Sequence, residues 1–256
     1  LDGRKLKFGV QEISDAIRIL AGRRIVHPVR EWLQTLRWDR LHRIDTELPQ
    51  CLGVEPGSFQ AIVLRRWMVG LIARPMVPGC QHDGVLVLVG DQGIGKSSFF
   101  ATIAGEHFSD AQVRVEDKDA KMVLLRAWIS EWAELDTMRR ARDQEAIKAF
   151  ISQREDQFRP PYGRSVERHK RSCVIVGTTN NPTFLSDPTG NRRFWPIAVK
   201  SIDLTWLKAN REQLIAEALD AYQSGERWWM SAEESGSLIE ASDQYIEEHD
   251  PWYGLI

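Results

Sequence analysis

Apolar positions along this chain change rhythm twice, and each change predicts a different kind of element. Over the first 80 residues they recur at helical spacing: Val10, Ile13, Ile17 and Leu20, then Val29, Trp32, Leu33 and Leu36, then Ile62, Trp67 and Leu71. Pro28 stands near the first turn of the second group, where a missing N–H is tolerated, and Pro75, Pro78 and Gly79 mark a break. Beyond it, Val85-Leu86-Val87-Leu88-Val89 has the continuous apolar character of a buried strand. There follow a predicted helix over 96–104, a short strand over 113–115, a helix over about 118–125 and a strand over about 127–132. A helix near 143–152, a polar loop and a strand over 173–178 complete the middle section. Strands alternating with helices predict βαβ units and a mainly parallel sheet in an α/β, three-layer fold. After Val199 the helical rhythm returns through Leu207, Leu214, Ile215, Ala218 and Leu219. The expected organisation is a helical region over 1–80, an α/β core over 81–200 and a second helical region over 201–256.

The junction of the first strand with its helix carries the sharpest chemistry. Gly90-Asp91-Gln92-Gly93-Ile94-Gly95-Lys96-Ser97 fills every specified position of the phosphate-binding template G-x-x-x-x-G-K-[ST], and Ser98 continues into the helix. Glycines let backbone N–H groups turn inward around a polyphosphate, and the helix N-terminus adds partial positive charge. Lys96 is placed to reach the β/γ-phosphates, and the Ser97 hydroxyl to sit on Mg²⁺. A glycine-rich turn that binds nothing is the bland alternative, and strand, loop and helix in register argue against it. The expected fold is therefore that of a P-loop NTPase, with ATP and Mg²⁺ as cofactors.

Composition narrows the setting. A 43% hydrophobic share over 256 residues suits a globular chain with a real core, and the net charge of −2 excludes a uniformly basic nucleic-acid coat. That total conceals local asymmetry: Arg139 to Arg171 holds ten Lys/Arg against five Asp/Glu, whereas Ser231 onward holds seven Asp/Glu and no Lys/Arg. Cys51, Cys80 and Cys173 fit neither a disulfide framework nor a zinc spacing, so a reducing, cytoplasmic setting is expected. No apolar run has the length of a membrane span. Leu1 in place of an initial Met is read as a sign of a piece of something longer.

Phosphoryl transfer needs a carboxylate for the metal and commonly a second to position the nucleophile. Glu131, at the tip of the predicted strand adjoining the loop, is the candidate metal-side acid. Glu134 is the candidate for polarising the attacking water, with Asp136 close behind. A solvated acidic strand end is the competing reading. Asn180, where the strand Cys173–Gly177 runs out through Thr178 and Thr179, is placed to hydrogen-bond a γ-phosphate or a water. Arg192 and Arg193, between Asp187-Pro188-Thr189-Gly190 and Phe194-Trp195, suit either charge neutralisation in a neighbouring active site or a structural clamp. Arg154, Arg159, Tyr162 and Arg164 interleave positive charge with an aromatic ring, as a single-strand-binding surface does, although charge runs are more often solvated faces.

Together these segments resemble the virulence-associated protein E family, P-loop ATPases found on phages and mobile elements. The likeness runs from His27-Pro28 through Trp38-Asp39, Pro78-Gly79-Cys80, the phosphate loop and Glu131-Trp132-Ala133-Glu134-Leu135. It continues through Lys148-Ala149-Phe150, Arg159-Pro160-Pro161-Tyr162-Gly163-Arg164, Thr178-Thr179-Asn180 and Asp187 to Phe194, ending near Gly225–Trp229. That family is akin to the helicase ATPases of phage primase–helicases and of superfamily 3. The resemblance implies the added-strand class of P-loop fold, a ring-shaped homo-oligomer on single-stranded or forked DNA, and Arg192 or Arg193 acting across a subunit boundary. It also implies a primase domain or protein as a further partner. The expected function is a Mg²⁺-dependent ATPase acting on DNA in the replication of a mobile element. A nucleotide-gated assembly factor is the alternative, and a small-molecule kinase a third.

Overall fold

The computed structural model describes residues 9–23, 27–111, 118–133, 141–159, 166–185 and 191–246. A five-stranded sheet forms its centre, in the order β2-β3-β6-β1-β7. These strands are β1 (Val85–Val89), β2 (Phe108–Ser109), β3 (Ile129–Ala133), β6 (Val174–Thr179) and β7 (Phe194–Ala198), and every pairing among them is parallel. β4 (Glu155–Phe158) and β5 (Glu167–Lys170) make a separate antiparallel pair, Glu155 opposite Lys170 and Phe158 opposite Glu167. The expected polar loop thus holds a two-stranded ribbon. The expected strand over 113–115 lies within 112–117, outside the described residues; β2 forms the edge of the sheet.

Sheet order also corrects one adjacency. β3, which carries Glu131, does not adjoin β1; β6 lies between them, paired with β1 through Leu86–Val176 and with β3 through Glu131–Val176. This interposed strand is the arrangement that the resemblance implied.

All five β1 residues are buried, because both faces of the sheet are covered. On one face, Leu86, Leu88, Val174 and Val176 meet α4 (Phe59–Met76), α5 (Lys96–Ala104) and α8 (Leu204–Gln223) in a cluster that includes Trp67, Phe99, Phe100, Leu214 and Ala218. On the other, Val85, Val87 and Ile175 pack with Trp132, Ile147 and Phe150, the last two from α7 (Ala141–Ile151). α4 is apolar nearly all round, as a helix submerged in a core must be, and Ser58 caps it by accepting from Ala61 N. It runs through Pro75 and ends at Met76, within the break expected from Pro75, Pro78 and Gly79.

α2 (Pro28–Thr35) forms as expected, with Pro28 in its first turn, Val29 and Leu33 buried, and His27 capping Arg30 N. α1 (Val10–Arg23) also forms, yet Val10, Ile13, Ile17 and Leu20 are exposed rather than packed. α3 (Glu47–Cys51) and α8 enclose the corner at Arg43 and Ile44, whose N–H groups both donate to the buried Glu217 carboxylate. α6 (Lys118–Arg126) precedes β3, and α9 (Ala232–Ser242) opens on a reciprocal capping box between Ser231 and Glu234.

Candidate nucleotide-binding site

β1 delivers the chain to Gly90 at the C-terminal edge of the sheet, and α5 leaves from Gly95. Two glycines in this turn have steric reasons to be glycine. A Cβ on Gly90 would stand 2.2 Å from Val199 O, and Gly95 holds φ +95° with Leu204 against it. The loop therefore folds closely onto the β7–α8 junction.

Lys96 Nζ donates to Gly90 O at 2.6 Å and Asp91 O at 2.7 Å, so the ammonium lies across the mouth of its own loop. Burial pushes its pKa down, opposed by the charges of Asp91 and Glu131. Ser97 Oγ donates to Glu131 Oε1 at 2.7 Å, and Thr178 Oγ1 donates to the same oxygen at 2.6 Å. Glu131 is buried, and its Oε2 has no hydrogen-bond partner among the described residues. A buried carboxylate oxygen without a donor is costly unless something positive meets it. Hydroxyl and carboxylate are hard oxygen donors, which suits Mg²⁺, an ion that takes few protein ligands and keeps water and phosphate for the rest.

A cavity of about 390 Å³ lies over this group, lined by Gln92, Gly93, Lys96, Ser97, Thr178 and Asn180 among others. Four expected residues (Lys96, Ser97, Glu131 and Asn180) are thus brought together by three strands that are far apart in sequence. Asp91 and Ile94 shape the turn: Asp91 through its carbonyl, Ile94 by packing beneath it. Ser98 lines the same cavity. Thr178 is the residue that sequence reasoning passed over. Its signal was a hydroxyl at the end of an apolar strand, one strand away from an acid.

Glu134, Asp136, Tyr162 and Arg164 lie outside the described residues. Arg154 is exposed and donates to Gln81 Oε1 at 2.7 Å, while Arg159 follows β4 directly, also exposed. Arg192 and Arg193 do not join the phosphate cavity. Phe194 pairs with Val85, so both arginines stand at the N-terminal edge of the sheet, the far end of β1 from the loop. A five-residue strand at ~3.3 Å per residue separates the two edges by roughly 13 Å. Arg193 Nε donates to Ser152 Oγ at 3.0 Å; the Arg192 side chain is exposed and has no partner among the described residues.

A parallel sheet covered by helices on both faces, with a glycine-rich loop, lysine and hydroxyl at the end of the inner strand β1, defines a P-loop NTPase fold. The family model of the virulence-associated protein E-like domain matches residues 33–247, and the chain belongs to that family. No curated protein matches it. Among solved structures, an A-form apo structure of the C-terminal region of NrS-1 is similar at a TM-score of 0.51 and 15% identity, over 82% of this chain and 54% of that one. An apo structure of NrS-1 residues 305–718 aligns over the same shares at 16% identity and a TM-score of 0.48. The chain therefore spans about half the length of these relatives, and the first likeness is one of fold.

Proposed function

We propose that the chain is a Mg²⁺-dependent ATPase acting on DNA, a helicase-like motor of a phage or mobile element. The observation that carries this reading is Glu131: a buried carboxylate with Ser97 and Thr178 on one oxygen and, among the described residues, no partner on the second, beside a phosphate loop. Ser97 and Glu131 would hold Mg²⁺, which supplies charge neutralisation on the β- and γ-phosphate oxygens. Lys96 exchanges its loop carbonyls for phosphate oxygens, the N–H groups of the loop and the start of α5 cradle the remainder, and Asn180 hydrogen-bonds the γ-phosphate or the attacking water. Glu134, three residues beyond Glu131, is the candidate to polarise that water.

Two features support DNA as the partner. The β4–β5 ribbon is inserted between the acid-bearing strand and the strand ending at Asn180, and the segment joining its strands carries Arg159, Tyr162 and Arg164. Phosphate contacts by the arginines and base stacking on the tyrosine fit a single strand. Arg192, exposed and on the edge remote from its own loop, suits completion of a neighbour's site in a ring. The deciding measurement is ATP turnover with and without single-stranded DNA. Mg²⁺-dependent turnover that rises several-fold with DNA is the expected result. Turnover indifferent to DNA would favour the nucleotide-gated assembly factor, and none under any condition would overturn the ATPase reading.

A further inference from the structure

A second cavity, of about 530 Å³, opens at the edge of the sheet opposite the phosphate loop, where residues 81–84, the turn before β7 and residues 228–230 meet. Its walls are aromatic and fixed in orientation. Trp195 Nε1 donates to Arg192 O at 3.1 Å, and Trp228 Nε1 to Gln81 O at 2.8 Å. The benzo ring of Trp195 rests directly on Gly84, where an added Cβ would stand 2.2 Å from it. Trp229 meets Trp228 edge-on, centroids 5.1 Å apart, and remains 56% exposed. A large apolar ring held in water beside an aromatic-lined cleft is a marked feature, since among the described residues every other tryptophan is buried or partly buried.

The charges in the cleft are few and placed. Arg193 is anchored through Nε to Ser152, and among the described residues no hydrogen bond occupies its terminal nitrogens. Asp83 lines the same cavity with no partner among the described residues. His82 stands behind them, buried, with its pKa pushed down to about 3 by burial and by Arg74; it is neutral and adds no charge. The cleft therefore presents ring faces, the anchored guanidinium of Arg193, the exposed guanidinium of Arg192 at its rim and one carboxylate. Ring faces take a nucleobase, a guanidinium takes a phosphate, and the carboxylate accepts from an exocyclic amino group or a sugar hydroxyl. The volume lies within the range of about 300–1,000 Å³ common for such ligands.

We propose that this cleft is a second nucleotide site, holding one nucleotide unit with its base on the Trp228–Trp229 wall and its phosphate on Arg193. The unit comes either from a mononucleotide or from a position along a single strand. The site is separate from the phosphate loop, and its occupancy does not depend on hydrolysis.

The test uses the Lys96→Ala protein, which weakens the phosphate loop, with AMP, adenosine and a six-residue oligodeoxythymidylate as calorimetric probes. At least one phosphorylated probe should bind, and Trp229→Ala should weaken it about tenfold or more, with Trp229→Tyr restoring most of the loss. Arg193→Gln should weaken AMP or the oligonucleotide while leaving adenosine unchanged. Binding of AMP alone assigns the site to a mononucleotide, binding of the oligonucleotide alone to a strand, and both to either source. The proposal falls if neither phosphorylated probe binds, or if their binding ignores both Trp229→Ala and Arg193→Gln. Trp229 is more than half exposed, so these variants should melt with the parent; were Trp229→Ala to unfold, Arg193→Gln would decide alone.

Discussion

Glu131 has two hydroxyl donors on one oxygen and, among the described residues, no partner on the other, so its ligand-free state holds a buried carboxylate that those residues only half satisfy. Glu131→Gln keeps the shape and removes that charge. Ligand-free stability should stay level or rise by about 1 kcal/mol, while the gain on adding Mg²⁺ and ATP should largely vanish. Thermal melting with and without Mg²⁺–ATP checks both halves. Lys96→Ala should lose the nucleotide-induced shift as well, and Glu134→Gln should keep the shift but lose turnover. A different residue governs mild acid. His82 is buried with a pKa of about 3 against an ordinary 6.5, so its folded form resists protonation that the unfolded chain accepts. Its contribution is complete above about pH 6.5 and is lost as pH falls toward 3, by ~1.4 kcal/mol per unit. Between pH 7 and pH 5 the chain should lose about 2 kcal/mol through this group, read by urea unfolding, and His82→Leu should flatten that slope. Asp39 and Glu234, both held near 2 (Asp39 chiefly by hydrogen bonding to Arg43, Glu234 by bonds to Ser231 N and Arg66 against its burial), act only below that window.

Among the elements, the β4–β5 ribbon is secured by an ion pair rather than by apolar packing alone. Arg171 donates through Nε to Asp156 at 2.9 Å and through a terminal nitrogen to Phe150 O, and its guanidinium lies 4.4 Å from the centre of the Phe150 ring. Both charged partners are buried. Arg171→Leu should cost about 3–5 kcal/mol by stranding Asp156, and Arg171→Leu with Asp156→Leu should recover part of it, measured in the same urea titrations. This anchor also explains what the sequence hid. β1 and β6 were legible because covered strands of a parallel sheet read as unbroken apolar runs. β4 is Glu-Asp-Gln-Phe and β5 Glu-Arg-His-Lys, and the inward side of β4 is Asp156 and Phe158, so no alternation of apolar and polar residues marks them. β2 has two residues, too few for any period. In α1 the spacing marked a helix correctly, but periodicity carries no information about what covers an apolar stripe. The loop and Asn180 were legible because each follows a strand with a chemical signature, and Ser97 because the phosphate template fixes it at the start of α5; Glu131, expected at a strand tip, is the middle residue of β3, and the donation from Thr178 to it depended on strand order, which sequence order does not disclose.

At the level of the whole molecule, parallel pairing of β7 with β1 decides what Arg192 can reach. It stands at the opposite edge from its own loop, so under the proposed function it would act on a phosphate site presented by a second subunit. Arg192→Ala protein should bind ATP and turn over poorly. Mixed with Lys96→Ala protein under assembling conditions with DNA, it should regain part of the activity, because an intact loop then meets an intact arginine at some interfaces. Steady-state turnover across mixing ratios checks this, and a strictly additive response would place the arginine outside catalysis.

The contact of Leu204 with Gly95 has a mechanical consequence. Leu204 opens α8, whose body is tied to α5 where Arg211 donates to Ile103 O, and Glu217 near its other end grips the amides of Arg43 and Ile44. From Leu204 to Glu217 the helix spans roughly 20 Å at 1.5 Å per residue. A helix is stiff along its axis, so α8 behaves as a pushrod with one end on the phosphate turn and the other on the 43–44 corner. If a polyphosphate shifts Gly95, this helix is the rigid route by which the shift would reach those two amides, and comparing their hydrogen-exchange rates with and without nucleotide tests it.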